Sequence, residues 1–519
     1  LPLLKLVKGS LTVLVGSLFL RLGGYVYRLL VGRLLGPDGY GIVSSTMVIQ
    51  TIVMFLATFG VPPAVARYVA KYHALGEGTK VRQFIVVPTL VLVALSTLAA
   101  LILALAAPYL TSWYFHNPRL YTPLLITAIG LPFAAFASCV RGVFQGFQDM
   151  RRYVLTQFVE QGTRVGGAPA LILAGYGPTG AVFASATLAY ATSGLYGAAK
   201  LRSEYLPKIP REDEPLPPNR VAKSALTFGL PVALTGIADM IQSNVDLLVI
   251  GYFLGTIWVG YYDAAGPIAR LPTTLCAAVA TALLPAASEA EALKDERTLR
   301  QYAHIAIKTM WTLLIPVAVL TGVLAEPLIT LFFGPAFRPG AQALYVLPTA
   351  MAFIVVFRSC ASLLQGIGRE RLPLVVLSFS LVANVVLNAI MVPKWGIFGA
   401  SVATAISDWL AMILIVRAVM VHAKTHLKLR WVLVPVIAGV AAWFTTEWSM
   451  LLTHGSLLKL LLGSAVGALT YSILLVVLGG VSDLEWELLE KGARRVGSPG
   501  IVRVVRLARS LELLGRIKP

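Results

Sequence analysis

The sequence predicts an all-α integral membrane protein of about fourteen transmembrane helices, arranged as two pseudo-symmetric six-helix lobes plus two C-terminal helices. Three observations predict it. Of 519 residues, 57% are hydrophobic and 13% charged, where a soluble domain carries roughly a quarter charged residues. The apolar residues lie in blocks, such as 84–107, 431–444 and 457–477, that are nearly free of charge; a membrane helix needs about 20 such residues. Finally, the two halves of the chain repeat one another.

The blocks place spans near 10–32, 39–61, 84–106, 120–146, 153–174, 179–200, 224–250, 257–287, 301–325, 341–365, 372–392, 397–420, 431–450 and 457–479. The first block is long enough to be a span, and no cleavable leader is expected before it. After the sixth span, the segment 203–222 is polar and rich in Pro. The expected organisation is a lobe at 1–202, a linker at 203–222, a second lobe at 223–420, two further helices within 421–480 and a tail at 481–519. The tail opens with Ser482-Asp483-Leu484-Glu485, which fits a capping box. Farther on, Arg503, Arg506 and Arg509 recur beside Val504, Leu507 and Leu511, the pattern of a basic amphipathic helix on a membrane surface.

Gly177-Pro178-Thr179-Gly180-Ala181-Val182-Phe183-Ala184-Ser185-Ala186 matches Gly396-Ile397-Phe398-Gly399-Ala400-Ser401-Val402-Ala403-Thr404-Ala405 at an offset of 219. A second match pairs Arg141, Gln145 and Gly146 with Arg358, Gln365 and Gly366. A third pairs Leu35-Gly36 and Gly39-Tyr40 with Leu254-Gly255 and Gly260-Tyr261. Small residues allow close helix packing, so one match alone is generic; three in one order mark a repeat. Six spans per repeat is an even number, so the lobes share an orientation and an axis along the membrane normal.

The net charge of +19 invites a nucleic-acid reading. The placement of the charge argues against it, because basic residues sit between apolar blocks. Lys71, Lys80, Arg82, Arg151, Arg152, Lys208, Arg220, Lys223, Lys294, Arg369, Lys424 and Arg430 fall on one side. The other side has Arg33, Arg119, Arg338, Lys394 and Lys459. By the positive-inside rule both termini are cytoplasmic, in the plasma membrane of the cell. Cys139, Cys276 and Cys360 lie in spans as packing residues, and the six His show no ligand spacing, so no metal site is expected. No catalytic residue and no bound cofactor is expected.

Charges inside spans are the candidate functional residues, since an Arg at the bilayer centre costs about 2.5–3.5 kcal/mol on insertion scales. Arg21, Tyr25 and Arg28 share one face of span one. Arg270 lies in span eight, and no acid in span one neutralises the first pair locally. Deep guanidinium groups suit an anionic, phosphate-bearing ligand. Asp239 and Asp246 on span seven, Asp263 on span eight, Asn384 and Asn388 on span eleven and Asp408 on span twelve are candidate cavity groups or coupling-ion ligands. Glu160 and Arg164, four apart, and the equivalent Arg141 and Arg358 fit structural pairing or gating.

Arg33-Leu34-Leu35-Gly36-Pro37-Asp38-Gly39-Tyr40-Gly41 resembles the signature of polysaccharide flippases, of the multidrug/oligosaccharidyl-lipid/polysaccharide exporter superfamily. The segment Phe59-Gly60-Val61-Pro62-Pro63-Ala64-Val65-Ala66-Arg67-Tyr68-Val69-Ala70 and Arg141-Gly142-Val143-Phe144-Gln145-Gly146 resemble the same family. The resemblance implies two lobes around a central cavity that opens alternately to each side. It implies a polyprenyl-pyrophosphate-linked oligosaccharide as substrate, with Arg21, Arg28 and Arg270 placed by position as the basic cavity groups and Tyr25 as a further substrate-binding residue. A monomer embedded in membrane lipid is expected, with a proton or a sodium ion as the candidate coupling ion, or the membrane potential in its place. Two alternatives stand within the superfamily: a cation-coupled multidrug antiporter, and a flippase for lipid II-type peptidoglycan precursors. An enzyme acting on sugar lipids wants a cluster of catalytic groups on a sizeable outer loop, and the outer loops here are short.

Overall fold

The computed structural model describes every residue except 1, 59, 211–213, 427, 454, 483–484, 488–489, 491–508 and 511–519; the side chains of 2–15, 17–18, 231–232, 234–239, 271–272 and 274–282 are also outside the description. Asp239 and Cys276 therefore have a described backbone only, and the expected amphipathic helix of the tail lies almost wholly outside the described residues.

The described residues form helices and no strand. The chain divides into two compact units, Leu1–Ala264 and Ala265–Pro519. In the first lie α1 (Pro2–Thr58), α2 (Val61–Ala74), α3 (Gly78–Tyr109), α4 (Tyr121–Gly146), α5 (Met150–Leu171), α6 (Gly177–Val182), α7 (Ala189–Lys200), α8 (Pro218–Leu254) and most of α9 (Thr256–Ala269). In the second lie α10 (Leu271–Ala292), α11 (Glu296–His304), α12 (Met310–Val323), α13 (Ala325–Phe333), α14 (Ala341–Leu344), α15 (Leu347–Gly366), α16 (Arg371–His422), α17 (Leu429–Leu451) and α18 (Ser456–Val477). Among the described residues, nine helical stretches are long and apolar enough to cross a membrane. Three of them, Phe19–Thr58, Met150–Lys208 and Arg371–His422, run for 40, 59 and 52 residues. A span needs about 20, and each of these three breaks at glycine.

The breaks carry the repeat. Gly36 interrupts α1 at φ 68, ψ −179, and Gly396 interrupts α16 at φ 60, ψ −143. Their sequence counterparts take the same backbone geometry: Gly255 sits at φ 86, ψ 177, and Gly177 at φ 53, ψ −141. Such positive φ is open to glycine at little steric cost. The next residue starts a new helix, and Pro37 and Pro178 are already set for a first-turn position.

The two Gly36-type breaks meet inside the first unit. A Cβ added at Gly41 would lie 2.0 Å from the Thr256 carbonyl oxygen, and one at Gly260 would lie 2.5 Å from the Pro37 carbonyl oxygen. Gly41 and Gly260, like Pro37 and Thr256, are 219 apart, so each repeat grips the other through equivalent atoms. The sequence expectation paired Gly39 with Gly260. The register counted from the two breaks instead pairs Gly41 with Gly260, because five residues separate each breaking glycine from its contact glycine.

Within the first unit α1 packs on α4, α5, α6 and α8, and α2 packs on α4 and α8. The Pro-rich segment is held to α3: Gln83 Nε2 donates to the Leu216 carbonyl at 2.7 Å, and the Leu216 amide returns a bond to Gln83 Oε1 at 2.9 Å. In the second unit α10, α12, α15, α16, α17 and α18 share one apolar core around Met310, Leu314, Val356, Cys360 and Tyr471. Large apolar side chains remain outward on both: Leu90, Leu98, Leu101, Ile102 and Leu105 of α3, and Leu457, Leu461, Leu469 and Ile473 of α18, are all more than half exposed. Continuous apolar faces of that extent suit hydrocarbon.

The capping box at 482–485 is formed. The Ser482 amide donates to Glu485 Oε2 at 2.8 Å, and the Glu485 amide donates to Ser482 Oγ at 3.3 Å. Glu485 also pairs with Lys308 of the preceding stretch 305–309, whose side chain is wholly buried.

Candidate functional site

Among the described residues inside the spans, three gatherings of polar side chains bear on function. The first is the carboxylate of Asp263 on α9. Arg28 Nη1 reaches Oδ1 at 2.8 Å, while the hydroxyls of Tyr40 and Ser44 donate to Oδ2, each at 2.8 Å. Arg28 comes from the limb of α1 before Gly36, and Tyr40 and Ser44 from the limb after it. The break at Gly36 thus turns one helix into two walls around Asp263. Of the expected basic trio, Arg21 is exposed and Tyr25 half-buried, and Arg28 is neutralised by an acid 235 residues away.

The second place is a cavity of about 510 Å³ in the first unit, adjoined by a pocket of about 370 Å³. Both are lined by Met54, Ser138, Arg141 and Tyr190. Glu160 sits between two guanidinium groups: Arg141 of α4 pairs with Oε2, and Arg164 Nη2 lies 2.8 Å from Oε1. The i, i+4 spacing on α5 sets the second pair directly. The first joins α4 to α5; one residue on, Gly142 lets α4 press on the start of α2, where a Cβ would lie 2.6 Å from the Pro62 carbonyl. Arg164 is also stacked on Tyr190, with the guanidinium carbon 4.9 Å from the ring centre.

Two guanidinium groups against one carboxylate leave this lining with a charge of +1. Two donors are unspent. Arg164 Nε and Gln161 Nε2 are buried and have no hydrogen-bond partner among the described residues. A buried donor left unsatisfied costs roughly 1–3 kcal/mol, so such groups mark a place where a ligand's oxygen atoms fit. Gln50 and Gln145 add amides to the wall. Sequence reasoning placed Arg141, Glu160 and Arg164 as structural or gating charges; the structure puts them on a cavity wall. It did not single out Gln157, Gln161 or Tyr190. The available signal was the stripe Gln157, Glu160, Gln161, Arg164, which is one helical face by spacing.

The third place is the interface between the two limbs of α16. Asn384 Nδ2 donates to Ser407 Oγ at 3.1 Å and to Thr404 Oγ1 at 3.3 Å, and Asn388 Nδ2 donates to Asn384 Oδ1 at 3.2 Å. Asp408 is buried one residue from Ser407. Asp246 accepts from the Tyr262 hydroxyl at 2.8 Å. Arg270 is an exposed residue at the junction of α9 and α10, and Arg358 is exposed on α15.

The comparisons with known proteins agree on one family. The family described as "Polysaccharide biosynthesis protein" matches residues 6–291, and that described as "Lipid II flippase MurJ" matches residues 219–463. An uncharacterised membrane protein of Methanocaldococcus jannaschii is 27% identical over 438 residues, covering 82% of this chain and 100% of its own. The lipid II flippase MurJ of Bacillus subtilis is 24% identical over 439 residues, covering 78% of this chain and 80% of its own. A solved structure of lipid II flippase MurJ, in an inward closed conformation, superposes with a TM-score of 0.66 at 17% identity, over 89% of this chain and 97% of that one. That likeness fixes the fold: a multi-pass helical bundle of two related lobes. With more than half its length matched, this chain is a member of the polysaccharide biosynthesis protein family of membrane proteins.

Proposed function

We propose that this protein is a flippase. It carries a polyprenyl-pyrophosphate-linked oligosaccharide across the cytoplasmic membrane by opening its cavity to one side and then the other. The observation that carries the reading is the Arg141–Glu160–Arg164 wall, an intramembrane cavity with excess positive charge and unspent donors. A pyrophosphate offers oxygen atoms to several guanidinium donors at once, while a neutral or cationic drug has no use for the excess charge. Arg21 and Arg270 serve as further basic groups along the route. The cluster at Asp263 acts as a latch on the Gly41–Gly260 contact. Asp239, Asp246 and Asp408, with Asn384 and Asn388, are the candidates for a coupling proton or sodium ion. Arg358 is kept as a gating charge.

The reading carries fourteen passes in a monomer, lobes at 1–202 and 223–420, and both termini in the cytoplasm, with no catalysed reaction. The Gly41–Gly260 contact then lies toward the outside. A second reading is supported by the lipid II flippase family match over residues 219–463 and by the Bacillus subtilis relative: the glycan is then a peptidoglycan precursor on the same pyrophosphate. Reconstitution with a fluorescent polyprenyl-pyrophosphoryl sugar and an external quencher tests both. Arg141→Gln and Arg164→Gln are each expected to lower translocation by about 10- to 100-fold, the worth of one charged hydrogen bond. Wild-type translocation by both variants refutes the cavity assignment. Competition by unlabelled lipid II separates the two substrates.

A further inference from the structure

A second basic site lies in the first unit, farther along α2 and α8 from the cavity lining at Pro62, Pro63 and Ala233, and shares no lining residue with it. A groove of about 680 Å³ opens between α2 and α8. From α2 come Arg67 and Tyr68; from α8 come Arg220, Lys223, Thr227 and Phe228. Arg220, Lys223 and Thr227 are spaced i, i+3, i+7 and so share one face of the helix. The guanidinium carbon of Arg67 sits 4.4 Å from the centre of the Phe228 ring. Stacking on a ring face uses none of the guanidinium N–H donors, which stay available to an anion.

Every charged side chain among the described residues that line the groove is basic. Three other cations in this unit are paired with acids: Lys80 with Glu77 at 3.0 Å, Arg152 with Glu204 at 2.7 Å and Lys200 with Glu204 at 3.2 Å. None of the ion pairs among the described residues involves Arg67, Arg220 or Lys223. Three cations around one hollow repel each other, and an anion seated among them relieves that repulsion. The apolar context says what kind of anion. Leu230, on the same face as Lys223 and Thr227, is 47% exposed, and on the adjoining α3 Val86 and Leu90 are 51% and 64% exposed. Charged and exposed apolar side chains thus share one face of α8, as an amphiphile with a phosphate head requires.

We propose that the α2–α8 groove binds the phosphate of an anionic phospholipid, with the acyl chains lying along Leu230, Val86 and Leu90. The lipid is a resident, held at a site separate from the cavity, and the assignment does not depend on which glycan is carried. Basic pockets between helices near a membrane surface recognise lipid head groups in this way.

The test uses the full chain in neutral detergent. Native mass spectrometry counts bound phosphatidylglycerol and phosphatidylcholine on the wild type and on the Arg220→Gln/Lys223→Gln variant. The wild type is expected to retain one more phosphatidylglycerol than the variant, with affinity for that lipid about 30-fold higher, and both should hold phosphatidylcholine equally weakly. Equal retention of phosphatidylglycerol by the two proteins overturns the proposal. So does full displacement of the retained lipid by millimolar inorganic phosphate, which would make this a site for soluble phosphate. Should the double variant fail to fold, Arg67→Gln decides by the same count, since Arg67 is exposed and unpaired among the described residues.

Discussion

The reciprocal contact of Gly41 with Gly260 makes a quantitative prediction. An alanine Cβ at position 41 would fall 2.0 Å from the Thr256 carbonyl oxygen, where real contacts stay above 3.0 Å. The obstructing atoms are backbone, so no side chain can swing aside, and α9 and the second limb of α1 must separate by about 1 Å. Overpacking of this kind costs about 1–3 kcal/mol, and occasionally more. The helical preference of Ala over Gly, about 0.5–1 kcal/mol, is common to the open and closed forms and cancels from their balance. A cost of about 2 kcal/mol falls only on the closed contact, so Gly41→Ala should shift the balance toward the open form about 30-fold.

Ser45 reports that shift. It lies one helical turn beyond Gly41 and is buried. Ser45→Cys, in a chain whose three native cysteines are replaced by Ser, should react slowly with a membrane-impermeant maleimide. Adding Gly41→Ala should speed the reaction by about the same 30-fold. Gly260→Ala should act in the same direction and less strongly, its Cβ meeting Pro37 at 2.5 Å. Gly24→Ala is the control, because a Cβ there has no neighbour within 4 Å. Unchanged labelling in both the Gly41 and Gly260 variants would refute the reasoning that this contact is a gate.

Other sites give sharper tests of packing and charge. Lys308→Met strips a buried carboxylate of its cation and should lower stability by about 3–5 kcal/mol, read as the thermal midpoint in detergent. Lys308→Met with Glu485→Gln should recover most of that loss, because Gln still closes the capping box with Ser482. Glu160→Gln should cost about 1–3 kcal/mol of stability, as Arg141 and Arg164 both lose a charged partner. The same change takes the cavity from +1 to +2, so binding of a polyprenyl pyrophosphate, followed by fluorescence anisotropy, should tighten; weaker binding would mean that Glu160 itself positions the ligand.

Much of the fold is legible in the sequence because it is written in local terms. Apolar block length gives the spans, and the glycines at 36, 177, 255 and 396 announce their positive φ through the breaks they make in otherwise helical text. The motif offset is legible too, though Gly39 and Gly41 are both plausible partners for Gly260 until the helix starts are known. The candidate site is less legible. Spacing shows that Arg28 lies on a polar face, but it cannot show Asp263, which comes from a helix 235 residues away. The stripe on α5 is visible as a pattern, yet nothing local says whether Glu160 and Arg164 meet a neighbouring helix or a cavity. Chain topology decides that, by bringing Arg141 of α4 to Glu160 and Tyr190 of α7 to Arg164.

The repeat also explains why Ser44 stands opposite Asp263. The two are 219 apart, so they are equivalent positions, and they touch at 2.8 Å. Where equivalent residues of two repeats face each other, a strict repeat would place like against like. Two carboxylates at that separation repel, and Arg28 supplies the only cation recorded on this cluster among the described residues. Divergence to Ser on one side turns the repulsion into a hydrogen bond. Restoring the symmetry with Ser44→Asp should therefore drive the contact apart, raising Ser45→Cys labelling at least as far as Gly41→Ala does. Ser44→Ala loses one hydrogen bond to a charged group, worth about 1.5–3 kcal/mol, and should raise labelling less than Ser44→Asp. If the Asp variant labels no faster than the Ala variant, repulsion across the repeat is not what keeps these two positions different.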